Sequence, residues 1–252
     1  MRLRRFLFIV FLAVGLVIVL GHFWPRSPDV VQYRSLIMGD RTVRFMIVDL
    51  TEMRLRFELQ NDPAHPKTVE AWRDELGADI VWNAAYFTEA NTPAGFFKTK
   101  GGVSAIPWPS VEEQSDAHNY TFMLTVHADD FALDYLPLHP AREPEDSALL
   151  SFPTLVAGGE SIVTKDSHLR AARTVVAEDA SGRDYLVVTE KGSLSLYELA
   201  EWLSDQPEQF VIAGNLDGGP STGLSIENGT DDIERQSAAV PSVIAGFRAK
   251  KY

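Results

Sequence analysis

The stretch Phe210-Val-Ile-Ala-Gly-Asn215-Leu-Asp217-Gly-Gly-Pro-Ser221 decides how this chain is read. A short apolar run closed by glycine and proline reads as a buried strand. Asp217 directly follows that run, so its carboxylate should sit at the strand edge and not deep in the core. Gly218 and Gly219 let the backbone turn sharply and come close to a ligand. Asp-Gly-Gly alone is an ordinary turn, so its meaning depends on the rest of the chain.

A second junction has the same character. Ile80–Ala84 reads as a short buried strand that runs into Asn83-Ala-Ala-Tyr86-Phe87, then Pro93-Ala-Gly95, Lys98, Lys100 and Gly101-Gly102. In α/β sheets, ligands gather beyond the carboxyl ends of strands, where such loops meet. Arg170-Ala-Ala-Arg173-Thr174 enters a further strand, and arginine's planar fork suits a phosphate. For Arg170 a surface ion pair is an equal reading. His118 beside Asn119 is a further candidate, whereas His65 between Pro63 and Pro66 reads as loop.

Around these junctions the pattern is strand-rich. Arg44–Leu50 and Arg54–Gln60 suggest a hairpin about Thr51-Glu52. Thr68 to Leu76 reads as a helix capped by Thr68 and closed by Gly77. Ser195 to Leu203 reads as a helix with a Ser195/Glu198 capping box and an apolar stripe of Leu196, Leu199, Ala200 and Leu203. Strands are expected at Tyr120–Val126, Thr154–Val156, Arg173–Ala177, Tyr185–Thr189 and Ser242–Phe247, with Leu136–Ser147 as a surface excursion. The expected fold class is α/β (α+β): a mixed, strand-rich sheet with flanking helices, in a single domain.

The start of the chain is different. Arg2, Arg4 and Arg5 precede an apolar run from Phe6 to Leu20, followed by Phe23 and Trp24. That is a secretory signal or, with interfacial anchors added, a membrane helix of ~20 residues. The expected division is 1–26 as signal anchor or signal peptide, 27–42 as linker and 43–252 as the domain, lying outside the cytoplasm or secreted if cleaved. Residues 1–26 hold four arginines and no acid, so 35 acidic residues face 19 basic ones beyond them, a balance of −16. That disfavours non-specific binding of nucleic acid, which needs Lys and Arg to neutralise phosphates. Cysteine is absent, which excludes disulfides, thiolate metal sites and a cysteine nucleophile. No His-x-x-x-His spacing points to zinc, and although Gly219-Pro-Ser221-Thr-Gly223 fits the Gly-x-Ser-x-Gly spacing, Ser221 has no histidine nearby in sequence to act as its base.

Taken in order, these segments resemble the phosphodiester glycosidase family. Asn83-Ala-Ala-Tyr86-Phe87 with Pro93-x-Gly95 is similar to its Asn-Gly-Gly-Tyr-Phe stretch, with Ala84 and Ala85 in place of the glycines. Ser151-Phe-Pro153-Thr-Leu155-Val156 is similar to its Ser-Gly-Pro-x-Leu-Val segment, Arg173-Thr174 to its Arg-Thr-Ala, and Asn215-Leu-Asp217-Gly-Gly-Pro-Ser221 to its Leu-Asp-Gly-Gly-Gly-Ser. Val240-Pro241-Ser242 resembles its closing Val-Pro-Asn. The resemblance covers roughly Val43 to Phe247 and implies hydrolysis of a sugar-1-phosphodiester carried by a phosphorylated glycan.

On that resemblance, Asp217 is the catalytic carboxylate, with Arg173 stabilising the departing phosphate and Asn83 completing the catalytic set. Ser221, Gly218, Gly219, Tyr86, Lys98 and Thr174 are the substrate-binding candidates, Lys100 assisting Lys98. A divalent cation, calcium or magnesium, held by Asp217 stays open. So do a non-catalytic glycan-binding module and a phosphodiesterase that breaks the P–O bond.

Overall fold

The computed structural model describes residues 31–103, 106–116, 120–227 and 232–248, and these build three antiparallel sheets. The first runs in the order β1 (Val31–Met38), β2 (Arg41–Asp49), β13 (Asp184–Lys191), β12 (Thr174–Asp179), β14 (Phe210–Asn215), β10 (Thr154–Ala157), β11 (Glu160–Ser161). The second is β16 (Ile233–Arg235), β15 (Leu224–Ile226), β4 (Ile80–Asn83), β17 (Ser242–Arg248), β3 (Leu55–Asn61). The third is β6 (Gly102–Val103), β5 (Phe97–Thr99), β9 (Ser147–Ser151), β7 (Phe122–Val126), β8 (Phe131–Tyr135). Among the described residues the helices are α1 (Leu50–Met53), α2 (Val69–Leu76), α3 (Val111–Ser115) and α4 (Leu196–Ser204).

The alternation of β2 shows why the layers stack as they do. Successive strand residues point to opposite faces. Met46 and Val48 enter a core that also takes Phe57, Trp82 and Ile244 from the second sheet and Phe97, Phe122 and Leu149 from the third. Phe45 and Ile47 face the other way and pack with Leu199, Ala200 and Leu203 of α4. On the outer face of the second sheet, Val69 and Trp72 of α2 cover Val81, Val243 and Ala245. Thr68 caps α2 by accepting from Ala71 N–H, and Gly77 ends it in the left-handed region. The Ser195/Glu198 capping box starts α4.

Three expectations change. Among the described residues every strand pairing is antiparallel, so the sheets are not mixed. Arg44–Leu50 and Arg54–Gln60 do not form a hairpin, because β2 pairs with β1 and β13 while β3 pairs with β17. Asp49 caps α1, Arg54 closes it at φ 51°, and the chain leaves one sheet for another. The expected linker, 27–42, carries β1 and the start of β2 in its described part. β1 is an edge strand with mostly exposed or half-buried residues, so it lacks the apolar signal of a strand. The apolar segment of residues 1–26 lies outside the described residues, as does His118. Among the described residues no helix is long and apolar enough to cross a membrane.

Candidate functional site

The ladder between β12 and β14 sets the site. Val175 pairs with Asn215 in antiparallel register, and Leu216 N–H donates to Thr174 C=O at 2.8 Å. Beyond the ladder the register slips by one, since Gly219 N–H and not Gly218 N–H donates to Ala172 C=O at 2.8 Å, and Arg173 Nη1 comes to 3.8 Å from the Cβ position of Gly218. The second sheet joins at the same point, since Asp217 N–H donates to Ala84 C=O at 3.1 Å, just beyond β4.

Asp217 is held by its own loop. Its Oδ1 accepts from Gly218 N–H at 2.8 Å. Burial pushes its carboxyl above the usual carboxylate range, while a hydrogen bond from Ser221 and the one from Gly218 oppose that rise. Gly218 is extended, and its need for glycine is steric: a Cβ there would stand 2.8 Å from Ala172 O and 3.8 Å from Arg173 Nη1. Gly219 supplies φ 61°, and Pro220 sits in the 3₁₀ turn Gly219–Ser221. Proline fits an opening helical position, where its missing N–H costs nothing.

Arg173 is anchored by neutral partners. Its Nε donates to Leu194 C=O at 3.2 Å and its Nη2 to Leu169 C=O at 2.9 Å. Burial lowers its pKa, with Tyr86 acting the other way, but a guanidinium stays charged at neutral pH. Among the described residues no salt bridge engages it, unlike Arg170, which pairs with Glu198 at 3.0 Å. Arg173 therefore offers a half-buried positive charge without an acidic partner among the described residues, beside Gly218 of the Asp217 loop.

Two tyrosines complete the wall. The Tyr86 hydroxyl accepts from Asn215 Nδ2 at 2.5 Å. Burial and then the Asp217 charge raise its pKa, with Arg173 working against them, so it remains a phenol. Tyr120 is half-buried, and burial followed by Asp217 raises it too. The sequence reading passed over Tyr120, because a single aromatic at a strand start looks like core. Its one signal was distant: Gly95 lies under the ring, where a Cβ would come within 3.0 Å of Tyr120 Cδ1.

Of the residues expected from sequence, Asp217, Arg173, Tyr86, Ser221, Gly218 and Gly219 are gathered here. Asn83 and Thr174 are turned inward, at 1% and 0% exposure. Asn83 Nδ2 donates to Asp217 C=O at 2.7 Å, and its Oδ1 accepts from Thr174 Oγ1 at 2.8 Å and Gly223 N–H at 3.0 Å. They brace the loop and offer no surface to a substrate. Lys98 belongs elsewhere. It donates to Pro144 C=O at 2.7 Å and pairs with Glu143 at 3.4 Å. With Arg56, Glu58, Lys100 and His127 it lines a separate cavity of about 450 Å³, where Lys100 pairs with Glu58 at 3.0 Å. Ala84 and Ala85, at the family's glycine positions, lie in the core and do not take positive φ. Asp217 is the single carboxylate among the gathered residues, and no group of three or more metal-ligating side chains occurs among the described residues.

Such a site can press a carboxylate, a fixed cation and two phenolic donors onto one small anionic ester. A family model described as phosphodiester glycosidase matches residues 76–246, more than half of the chain. Among solved structures, the chain is similar to the zebrafish N-acetylglucosamine-1-phosphodiester alpha-N-acetylglucosaminidase catalytic domain, auto-inhibited by its pro-peptide. The TM-score is 0.62 and the identity 16%, over 88% of this chain and 84% of that one. It is also similar to a hypothetical protein from Synechocystis, with TM-score 0.54 and 14% identity over 86% of this chain and 62% of that one. At such identities these likenesses speak to fold alone. No curated protein sequence matches.

Proposed function

The chain belongs to the phosphodiester glycosidase family, and we propose that it hydrolyses the glycosidic C–O bond of a sugar-1-phosphodiester. The observation that carries this reading is that Arg173 and Asp217 converge on one loop: Arg173 Nη1 stands 3.8 Å from the Cβ position of Gly218, next in chain to Asp217, and both charges act on Tyr86. A phosphodiester leaving group is already stable as an anion, so protonating it matters less than holding its charge. Arg173 and the tyrosine hydroxyls supply that hold, preorganised by burial and by fixed backbone partners. Asp217 then attacks the anomeric carbon or activates water, as carboxylates do in glycosidases. Its raised pKa makes it a stronger base than an exposed aspartate. Gly218 N–H and Ser221 fix its orientation, and Asn83 holds the loop on which it stands.

Ala84 and Ala85 pack into the core while Asp217 stays partly exposed, which supports turnover over a purely binding module. The arginines and apolar run of residues 2–20 support export, so we place the domain outside the cytoplasm, acting on a phosphoglycan of the cell envelope or its surroundings. The test is turnover of N-acetylglucosamine-1-phosphate methyl diester by the full chain, with and without calcium or magnesium. Free sugar should appear, and Asp217→Asn should lower the rate by about 10³-fold or more, the scale of losing a principal catalytic group. No turnover of any sugar-1-phosphodiester by the wild type would refute the proposal.

A further inference from the structure

Next to the candidate site lies a hollow that the chemistry above does not use. A cavity of about 260 Å³ is bounded by Ile106, Pro107, Trp108, Pro109, Phe96 and Tyr120. Tyr120 is common to both, since its phenol feels the Asp217 charge while its ring walls the hollow. Tyr86 in turn lies within electrostatic range of Arg173, Asp217 and Tyr120. Tyr86 also abuts the hollow through its backbone, its C=O accepting at 2.8 Å from the N–H of Ala94, which lines the hollow with Gly95 and Tyr120.

The hollow is already built. Trp108 stands edge-on to Phe96, with centroids 5.0 Å apart, and donates from Nε1 to Ala141 C=O at 3.3 Å. Gly95 makes room for the Tyr120 ring. Ile106 nevertheless keeps 40% of its surface exposed, an apolar side chain in a lining that is more apolar than polar. The Glu113 side chain is engaged, accepting from Ser110 N–H at 2.7 Å. Among the described lining residues a sugar ring would find few partners for its hydroxyls, and a phosphate no cation. The volume is below the ~300 Å³ at which whole-ligand pockets begin, so it suits one short apolar group.

We propose that this hollow is a subsite for the ester group on the far side of the phosphate, and that it selects the first carbons of an aliphatic or aromatic substituent. The inference rests on the reading of Asp217 and Arg173 given above. A phosphate held along Arg173, Tyr86 and Tyr120 directs its second ester oxygen toward Trp108 and Ile106, while the sugar lies over Asp217. The substrate class is then a sugar-1-phosphodiester whose other alcohol is apolar.

The experiment measures equilibrium binding to the full-length Asp217→Asn chain by tryptophan fluorescence, so it needs no turnover. The probes are methyl, octyl and phenyl diesters of one sugar 1-phosphate. Each buried methylene is worth roughly fourfold in affinity, so the octyl or the phenyl ester should bind at least about tenfold tighter than the methyl ester. Which of the two gains more distinguishes an aliphatic from an aromatic source. In Ile106→Asn, a change at an exposed position, the ratio should fall toward 1. In Leu138→Asn, an exposed residue outside the hollow, the ratio should persist. Equal binding of all three esters, or a ratio that survives Ile106→Asn, overturns the subsite. A preference seen without hydrolysis by the wild type would instead refute the hydrolase and leave the subsite standing.

Discussion

Replacing Asn83 with alanine removes three hydrogen bonds at once, and the cost can be worked from the partners left behind. Asp217 C=O, Thr174 O–H and Gly223 N–H all bond the Asn83 amide, and Asn83 is 1% exposed. Each buried polar group left unpaired costs about 1–3 kcal/mol, so the sum is roughly 3–9 kcal/mol. Water entering the vacated space would favour the lower end. For a domain of this size each kcal/mol lowers Tm by about 2–4 °C, so Tm should fall by about 6 °C or more. Thermal unfolding followed by circular dichroism reads the shift, and activity is then assayed well below the variant's Tm. A braced loop predicts that stability and activity fall together. A Tm within about 2 °C of wild type, with turnover nonetheless abolished, would refute the bracing role and return Asn83 to direct chemistry.

Other perturbations test the same geometry. Arg173→Lys keeps a charge but cannot bond Leu194 and Leu169 while presenting a third nitrogen. Losing a charge-assisted bond should lower kcat/KM by about 10–100-fold, and steady-state kinetics within about threefold of wild type would contradict the role. Gly218→Ala places a methyl 2.8 Å from Ala172 O, so the turn must shift. Activity should fall by about 10²-fold, as for a misplacement of ~1 Å, and unchanged turnover would count against the proposed arrangement. Asp184 is a stability probe away from the site. Burial first, offset by Phe131 N–H and reinforced by neighbouring acids, raises its pKa from 3.8 to about 7. The folded state then binds a proton that the unfolded state has released, so stability should decline as pH rises from about 4 to about 7. Asp184→Asn should flatten that decline in urea titrations across the window, and an unaltered slope would show that Asp184 does not cause it.

The sequence disclosed the elements whose signals are local. Thr68 and Gly77 bound α2, and Ser195 with Glu198 starts α4, because caps are set by a few neighbouring atoms. The strands ending at Asn83 and Asn215 were legible as short apolar runs, and the site residues that follow them came with them. Partnership was not legible. Nothing local says that β2 and β3 belong to different sheets, since a single capped turn at Asp49 looks like a hairpin connection. β1 is polar enough to pass for a linker because an edge strand buries little. The same limit governs the site. Lys98 and Tyr86 stand twelve residues apart in one loop-rich stretch, yet only Tyr86 reaches Asp217. Thr174 and Asn83 look like ligand-binding polar groups until their bonds to each other are seen. Tyr120 joins the site through the packing of its ring over Gly95, a contact between distant segments.

The most direct test of C–O cleavage is to run the hydrolysis of N-acetylglucosamine-1-phosphate methyl diester in oxygen-18 water and weigh both products. If Asp217 directs attack at the anomeric carbon while Arg173 holds the departing phosphate, the label enters the free sugar and the methyl phosphate leaves unlabelled. Label in the phosphate product, with unlabelled sugar, would mean that phosphorus is attacked and that the assigned roles of Asp217 and Arg173 are wrong.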